Sequence, residues 1–199
     1  MMRLWSTLQP SSTTTAQPDD GVPPVKDSMV IDDEIMEYLD ANNFSKKSMQ
    51  ELFEKGLNKD AKEVTNSTLL MKVAVRPDKD EARVKFLIDQ GVDVNQQDER
   101  GDTVLHMLSR RGWEHIIKLF PGVKDKINPN LQDTYKRTVL HEAIIHGCFK
   151  NTAEWLLQIK GIDINIKDKD GKTPLDLAKE KDEGDCDIIQ ELLNNYNRH

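Results

Sequence analysis

The chain is 199 residues long, with 37% apolar and 6% aromatic side chains, enough for an elongated, thin core. A formal charge of −7 argues against nonspecific nucleic-acid binding, which needs a concentrated positive face. The longest apolar runs, such as Trp155-Leu156-Leu157, fall far short of the roughly 18 residues of a membrane span, and two cysteines, Cys148 and Cys186, are too few for a disulfide framework. A reducing compartment, the cytoplasm, is expected, with both cysteines as small residues beside helices.

In chain order, residues 1–28 carry serine, threonine and proline without apolar periodicity and predict a disordered tail. Its first residues are too interrupted by Arg3 and Ser6 to form a signal-peptide core. Beyond it lies a repeat. Thr68, Thr103, Thr138 and Thr173 stand thirty-five residues apart, each followed two positions later by a leucine, Leu70, Leu105, Leu140 and Leu175. Asn95, Asn130 and Asn165 keep the same interval, as do Asp98, Asp133 and Asp168. A fixed period of this size means stacked supersecondary units that bury a core only against their neighbours.

The first unit, 31–65, lacks the Thr-x-Leu signature but has the stripe Ile31, Ile35, Met36 and Leu39. The second, 66–100, carries Leu87-Ile88-Asp89-Gln90-Gly91 and then Val92-Asp93-Val94-Asn95. In the third, 101–135, Asp98, Gly101 and Asp102 form a turn before Thr103, which caps a helix. Leu105 and Leu108, and past Gly112 Ile116, Ile117, Leu119 and Phe120, predict two short amphipathic helices ended by Pro121. The fourth, 136–170, repeats the scheme with Gly147 between its helices, and the fifth, 171–199, places Pro174 at the first helical position. Extra residues at 76–80 and 121–126 are expected to be absorbed by surface loops.

Asp168-Lys169-Asp170-Gly171-Lys172-Thr173-Pro174-Leu175, Thr138-Val139-Leu140-His141-Glu142-Ala143 and Gly91-Val92-Asp93-Val94-Asn95 resemble the ankyrin repeat over roughly residues 31–195. The resemblance implies an all-α solenoid of about five helix-turn-helix units joined by β-hairpin-like turns. It also implies that His106 and His141 brace neighbouring turns, a role left open where Met71 and Asp176 replace them. It further implies non-enzymatic protein recognition on a concave face, as adaptor, scaffold or inhibitor. Transferred by position, the contact residues are Glu99, Arg100, Asp102, Arg110 and Arg111; Thr134, Tyr135, Arg137, Ile145 and His146; and Lys169, Asp170 and Lys172. Six of these are basic and three acidic, so the partner expected is an acidic, partly apolar protein segment, bound by a monomer. Charge reversal of Arg111 with Arg137 is expected to abolish binding without changing thermal unfolding.

Other chemistries fail on spacing. His141 and His146 are five apart, about 140° around a helix, so they do not share the face a zinc protease needs. A calcium loop at Asp168-x-Asp170-Gly171 would need ligands where Ile166 and Leu177 stand, and a phosphate loop ending at Gly171-Lys172-Thr173 would need glycine at Ile166. No cofactor or metal site is expected. Asp27-Ser28 resembles the phosphorylated signal of IκB-type ankyrin inhibitors, but Met29 replaces its glycine and the second serine is missing, leaving a truncated IκB-like inhibitor as one alternative. A bacterial or viral effector working in a host cytoplasm is another.

Overall fold

A computed structural model describes residues 21–76, 81–181 and 185–196. Ten α-helices occur among them: α1 (Asp33–Ala41), α2 (Lys46–Glu54), α3 (Leu69–Ala74), α4 (Glu81–Asp89), α5 (Val104–Arg111), α6 (Glu114–Ile117), α7 (Val139–Ile145), α8 (Lys150–Leu156), α9 (Pro174–Lys179) and α10 (Asp185–Tyr196). They form five successive pairs. The first helices of the second to fifth pairs stack in sequence order, α3 on α5, α5 on α7 and α7 on α9, and on the outer layer α6 meets α8 and α8 meets α10. The fold is the all-helical solenoid that the period predicts.

Each inner helix starts where its threonine stands. Thr68, Thr103, Thr138 and Thr173 adopt extended backbone immediately before α3, α5, α7 and α9. Thr68 Oγ1 accepts the Met71 amide at 3.3 Å and Thr173 Oγ1 accepts that of Asp176 at 3.2 Å, satisfying donors left free at a helix start. In α5 and α7 the residue three positions on returns the bond: the Nδ1 of His106 accepts the Thr103 amide, and that of His141 accepts the Thr138 amide. The leucines that follow, Leu70, Leu105 and Leu140, are buried, whereas Leu175 of the last repeat is half-buried. One apolar cluster runs from Ile31 to Leu193 through every pair, so no repeat owns a core of its own.

Departures from the regular unit fall where the sequence inserts residues. After α6, a single turn, the chain forms a 3₁₀ helix over Pro121–Lys126 rather than a long second helix. The expectation that this insertion is a surface loop is corrected in part: it forms a 3₁₀ helix whose Val123 is buried and joins the core, while Gly122, Asp125 and Lys126 stay exposed. Residues 77–80 of the other insertion lie outside the described residues, as do 1–20 of the expected tail. The remaining tail residues run along the first repeat. Pro23 is buried, Val22 and Val25 pack on the core, Lys55 Nζ donates to the Val22 carbonyl at 2.6 Å, and Lys26 pairs with Glu34 at 2.9 Å.

Cys148 and Cys186, expected as separate small residues, are joined in a disulfide with a Cα–Cα distance of 5.2 Å. The fold brings them together because the loop after α7 packs against the outer helix of the following repeat. Among the described residues no helix is long and apolar enough to cross a membrane.

Candidate functional site: the hairpin row and its clefts

Between consecutive repeats the chain folds into a short hairpin held by its own aspartate. Asp98, Asp133 and Asp168 each accept, through Oδ1, the amides two and four residues on: Arg100 and Asp102, Tyr135 and Arg137, Asp170 and Lys172. The same aspartates donate their own amides to the carbonyls of Asp102, Arg137 and Lys172, closing each turn. The hairpin tips then pair with one another. Glu99 N donates to Thr65 O, Thr134 N to Arg100 O and Lys169 N to Tyr135 O, at 2.8–3.2 Å.

Below the tips, buried side chains carry the ladder further. His106 and His141 donate from Nε2 to the carbonyls of Arg137 and Lys172 in the next hairpin, each at 3.1 Å. Gln97 and Gln132 bond to the Gln132 and Lys167 carbonyls, and at the equivalent place in the first repeat Lys62 Nζ reaches the Gln97 carbonyl at 3.3 Å. On the opposite edge Asn95 bonds Lys126 O and Asn128 N, and Asn130 bonds Gly161 O and Asp163 N. These bonds explain why the asparagines and aspartates keep the threonine period.

Burial holds both bridging imidazoles below the ordinary histidine range, so they stay neutral with the proton on Nε2. A proton added at Nδ1 would face the amide that donates to it. Because the unfolded chain takes up these protons first, at about pH 6.5, stability is full above that value and falls as pH drops toward the depressed folded values. Urea unfolding at pH 7 and pH 5.5 should show this loss, at up to about 1.4 kcal/mol per pH unit for each imidazole. The double variant His106→Gln/His141→Gln should flatten the slope.

Two adjoining clefts open along the row. The first, about 420 Å³, lies between the second and third repeats and is lined by Lys72, Val75, Glu99, Arg100, Met107 and Arg111, among others. The second, about 370 Å³, lies between the third and fourth and is lined by Arg100, Asp102, Arg110, Asp133, Thr134, Tyr135, Arg137 and His146. Thirteen contact residues follow from the repeat resemblance, and these clefts gather nine of them. Ile145, half-buried, lies outside both clefts, and its carbonyl accepts Lys181 Nζ at 2.5 Å. Lys169 reaches back over the Tyr135 ring, 4.4 Å from its centroid, with Arg137 at 5.1 Å. Asp170 and Lys172 remain on the last hairpin, where Lys172 pairs with Glu180 at 2.5 Å.

The floor of the second cleft holds a buried ion network that the spacing of threonines and leucines does not reveal. Arg110 grips Asp102 with both terminal nitrogens at 3.0 Å and places Nε 2.6 Å from Glu142 Oε2. Glu142 also has Arg137 Nη1 at 3.5 Å and His146 Nε2 at 3.3 Å. The Glu142 side chain is fully buried and that of Asp102 is 3% exposed. The two carboxylates hold the Arg110 guanidinium charged against the cost of its partial burial. Asp102 is therefore a brace beneath the cleft rather than a group facing a partner. Glu142 is the residue missed: corresponding positions hold Met107 and Leu177, and a carboxylate where neighbouring repeats are apolar was the available signal.

A family model for ankyrin repeats, in three copies, matches residues 70–168 and 115–199. The chain belongs to the ankyrin-repeat family. Among relatives, it is similar to BCL-6 corepressor-like protein 1 of Homo sapiens, 28% identical over 177 residues, which is 87% of this chain and 9% of that protein. It is also similar to alpha-latrotoxin-Lhe1a of Latrodectus hesperus, 36% identical over 47% of this chain and 6% of the toxin. An ankyrin repeat-containing protein of Schizosaccharomyces pombe is 35% identical over 71 residues, 36% of this chain and 31% of that protein. The chain thus spans less than a tenth of the first two relatives. As an ankyrin protein it keeps the histidine bridge between hairpins in its third and fourth repeats and replaces it with Met71 in the second.

Proposed function

We propose that this ankyrin-repeat chain is a non-enzymatic interaction module, an adaptor, scaffold or inhibitor that works by receiving an acidic, partly apolar protein segment in the cleft between its third and fourth repeats. One observation carries this reading: the sorting of charge by depth. The acids of the cleft, Asp102, Asp133 and Glu142, are all buried and already bonded to arginine or backbone amides. Its outer edge is made by the exposed Arg100, the half-buried Arg137, and Lys169 lying over Tyr135. Tyr135 is 49% exposed, supplying an apolar ring whose two cationic neighbours favour an anion beside it. The first cleft, with Glu99 on its rim, lacks this sorting.

The depth of each charge also selects the variants for the test. Arg137 sits against buried Glu142, so reversing it sets a carboxylate against a buried carboxylate and destabilises the repeat as well as altering the surface, and the paired reversal of Arg111 and Arg137 does not separate binding from folding. Arg100→Glu with Lys169→Glu changes exposed side chains only. A partner captured on the immobilised chain is trimmed to its shortest binding segment and titrated against wild type, the double reversal and Tyr135→Ala. Reversal should weaken binding at least about tenfold and steepen with falling salt, while the unfolding free energy stays within about 0.5 kcal/mol. An equal affinity in the reversed variant, or a segment without acidic residues, overturns the reading.

A further inference from the structure

The Cys148–Cys186 bond is a covalent tie between two repeats, and it lies at the end of the stack, where the last repeat has a neighbour on one side. The fifth repeat stacks on the fourth alone; α9 meets α7 and α10 meets α8. Its outer helix buries only Cys186, Ile189 and Leu193, leaving Ile188 and Tyr196 exposed. A terminal repeat supported by one interface opens more readily than the repeats inside the stack. Cys148 itself directly follows Gly147 and His146, the residue that forms part of the second cleft and meets Glu142. It takes a left-handed backbone (φ 47°) and its amide donates to Ile144 O, so the sulfur is fixed at the end of α7. Both cysteines are buried, at 2% and 0% exposure, and 38 residues separate them.

We propose that Cys148 and Cys186 form a thiol–disulfide latch that sets how tightly the fifth repeat, and with it the α7 end of the second cleft, is held. The bond restricts the 38-residue segment containing α8 and α9. Breaking it leaves the last pair attached by the packing of α9 on α7 and α10 on α8 and by bonds such as Lys181 Nζ to Ile145 O. Reduction uses a small thiol of the glutathione class. Its thiolate attacks one sulfur and forms a mixed disulfide while the other cysteine leaves as a thiolate that takes up a proton. A second small thiol then releases the remaining cysteine. In sum, one protein disulfide and two small thiols give two protein thiols and one small disulfide. Burial confines the exchange to moments when the fifth repeat opens.

The test uses the full chain equilibrated in oxidised and in reduced glutathione, with thiols counted by alkylation and mass. Oxidised protein should take up no alkyl group and reduced protein two. Amide exchange in 185–196 and 144–149 should then accelerate at least about tenfold on reduction, with 104–111 unchanged, and the thermal midpoint should fall by about 5–10 °C. Cys148→Ser and Cys186→Ser should each match the reduced protein and show no response to the buffer. Two alkylated thiols in the oxidised sample, or identical exchange in both states, overturn the proposal. Neither readout involves a partner, so failure here and failure of the binding assignment are separable.

Discussion

Replacing Arg110 with alanine should lower the unfolding free energy by about 3–5 kcal/mol, the range for stripping one partner from a buried ionic network. The reason is depth rather than number of ion pairs. Arg110 neutralises both Asp102 and Glu142, whose carboxylates have almost no contact with water, and nothing else reaches Asp102 with a formal positive charge among the ion pairs of the described residues. Arg111, one residue further on, is exposed and its substitution should cost within about 0.5 kcal/mol. Chemical denaturation of the two variants makes the comparison. The pairing also predicts non-additivity: Arg110→Ala with Glu142→Gln should lose clearly less than the two single losses combined, because the second change removes a charge the first has stranded. Equal effects of Arg110→Ala and Arg111→Ala would show that the network is solvated.

Gly112→Ala should cost about 2–4 kcal/mol, from left-handed backbone and overpacking together. Gly112 ends α5 with φ 62°, and a Cβ there would lie 2.6 Å from Cδ1 and Cε1 of the Phe149 ring. That ring belongs to the next repeat and also packs against Gly147, where an added Cβ would lie 2.8 Å from it. Gly161→Ala is the control: its φ is 81° but no atom lies within 4 Å of an added Cβ. It should therefore show only the conformational cost, about 1–2 kcal/mol. Thermal or urea unfolding gives the difference, and Phe149→Leu should recover part of the Gly112→Ala loss by making room. If both alanines cost the same, the ring contact contributes nothing.

The pattern of what could be read in advance follows from which interactions repeat. Thr103 caps α5, Asp98 closes its hairpin and Asn95 ties neighbouring loops because each acts on backbone that recurs every thirty-five residues. Identical backbone demands identical chemistry, so the period was visible. Position transfer placed Arg100, Tyr135, Arg137 and His146 around one cleft for the same reason. Glu142 escaped because it serves one junction only, and Arg110, legible as a surface cation, proved to be bound inward. The 3₁₀ helix at Pro121–Lys126 was hidden likewise, since an insertion that serves one junction carries no period, whereas the buried Ile127 just after it keeps the thirty-five-residue column of Val92 and Ile162.

Sequence by itself determined the repeat, its helix starts, its hairpins and the order of stacking, since these depend on local caps and on apolar residues spaced for one helix face. Tertiary structure decided which charges face outward, how an insertion is buried, and that Cys148 meets Cys186. Those outcomes depend on how far a side chain lies from water and which neighbour reaches it, and such distances exist only after separate repeats have packed together.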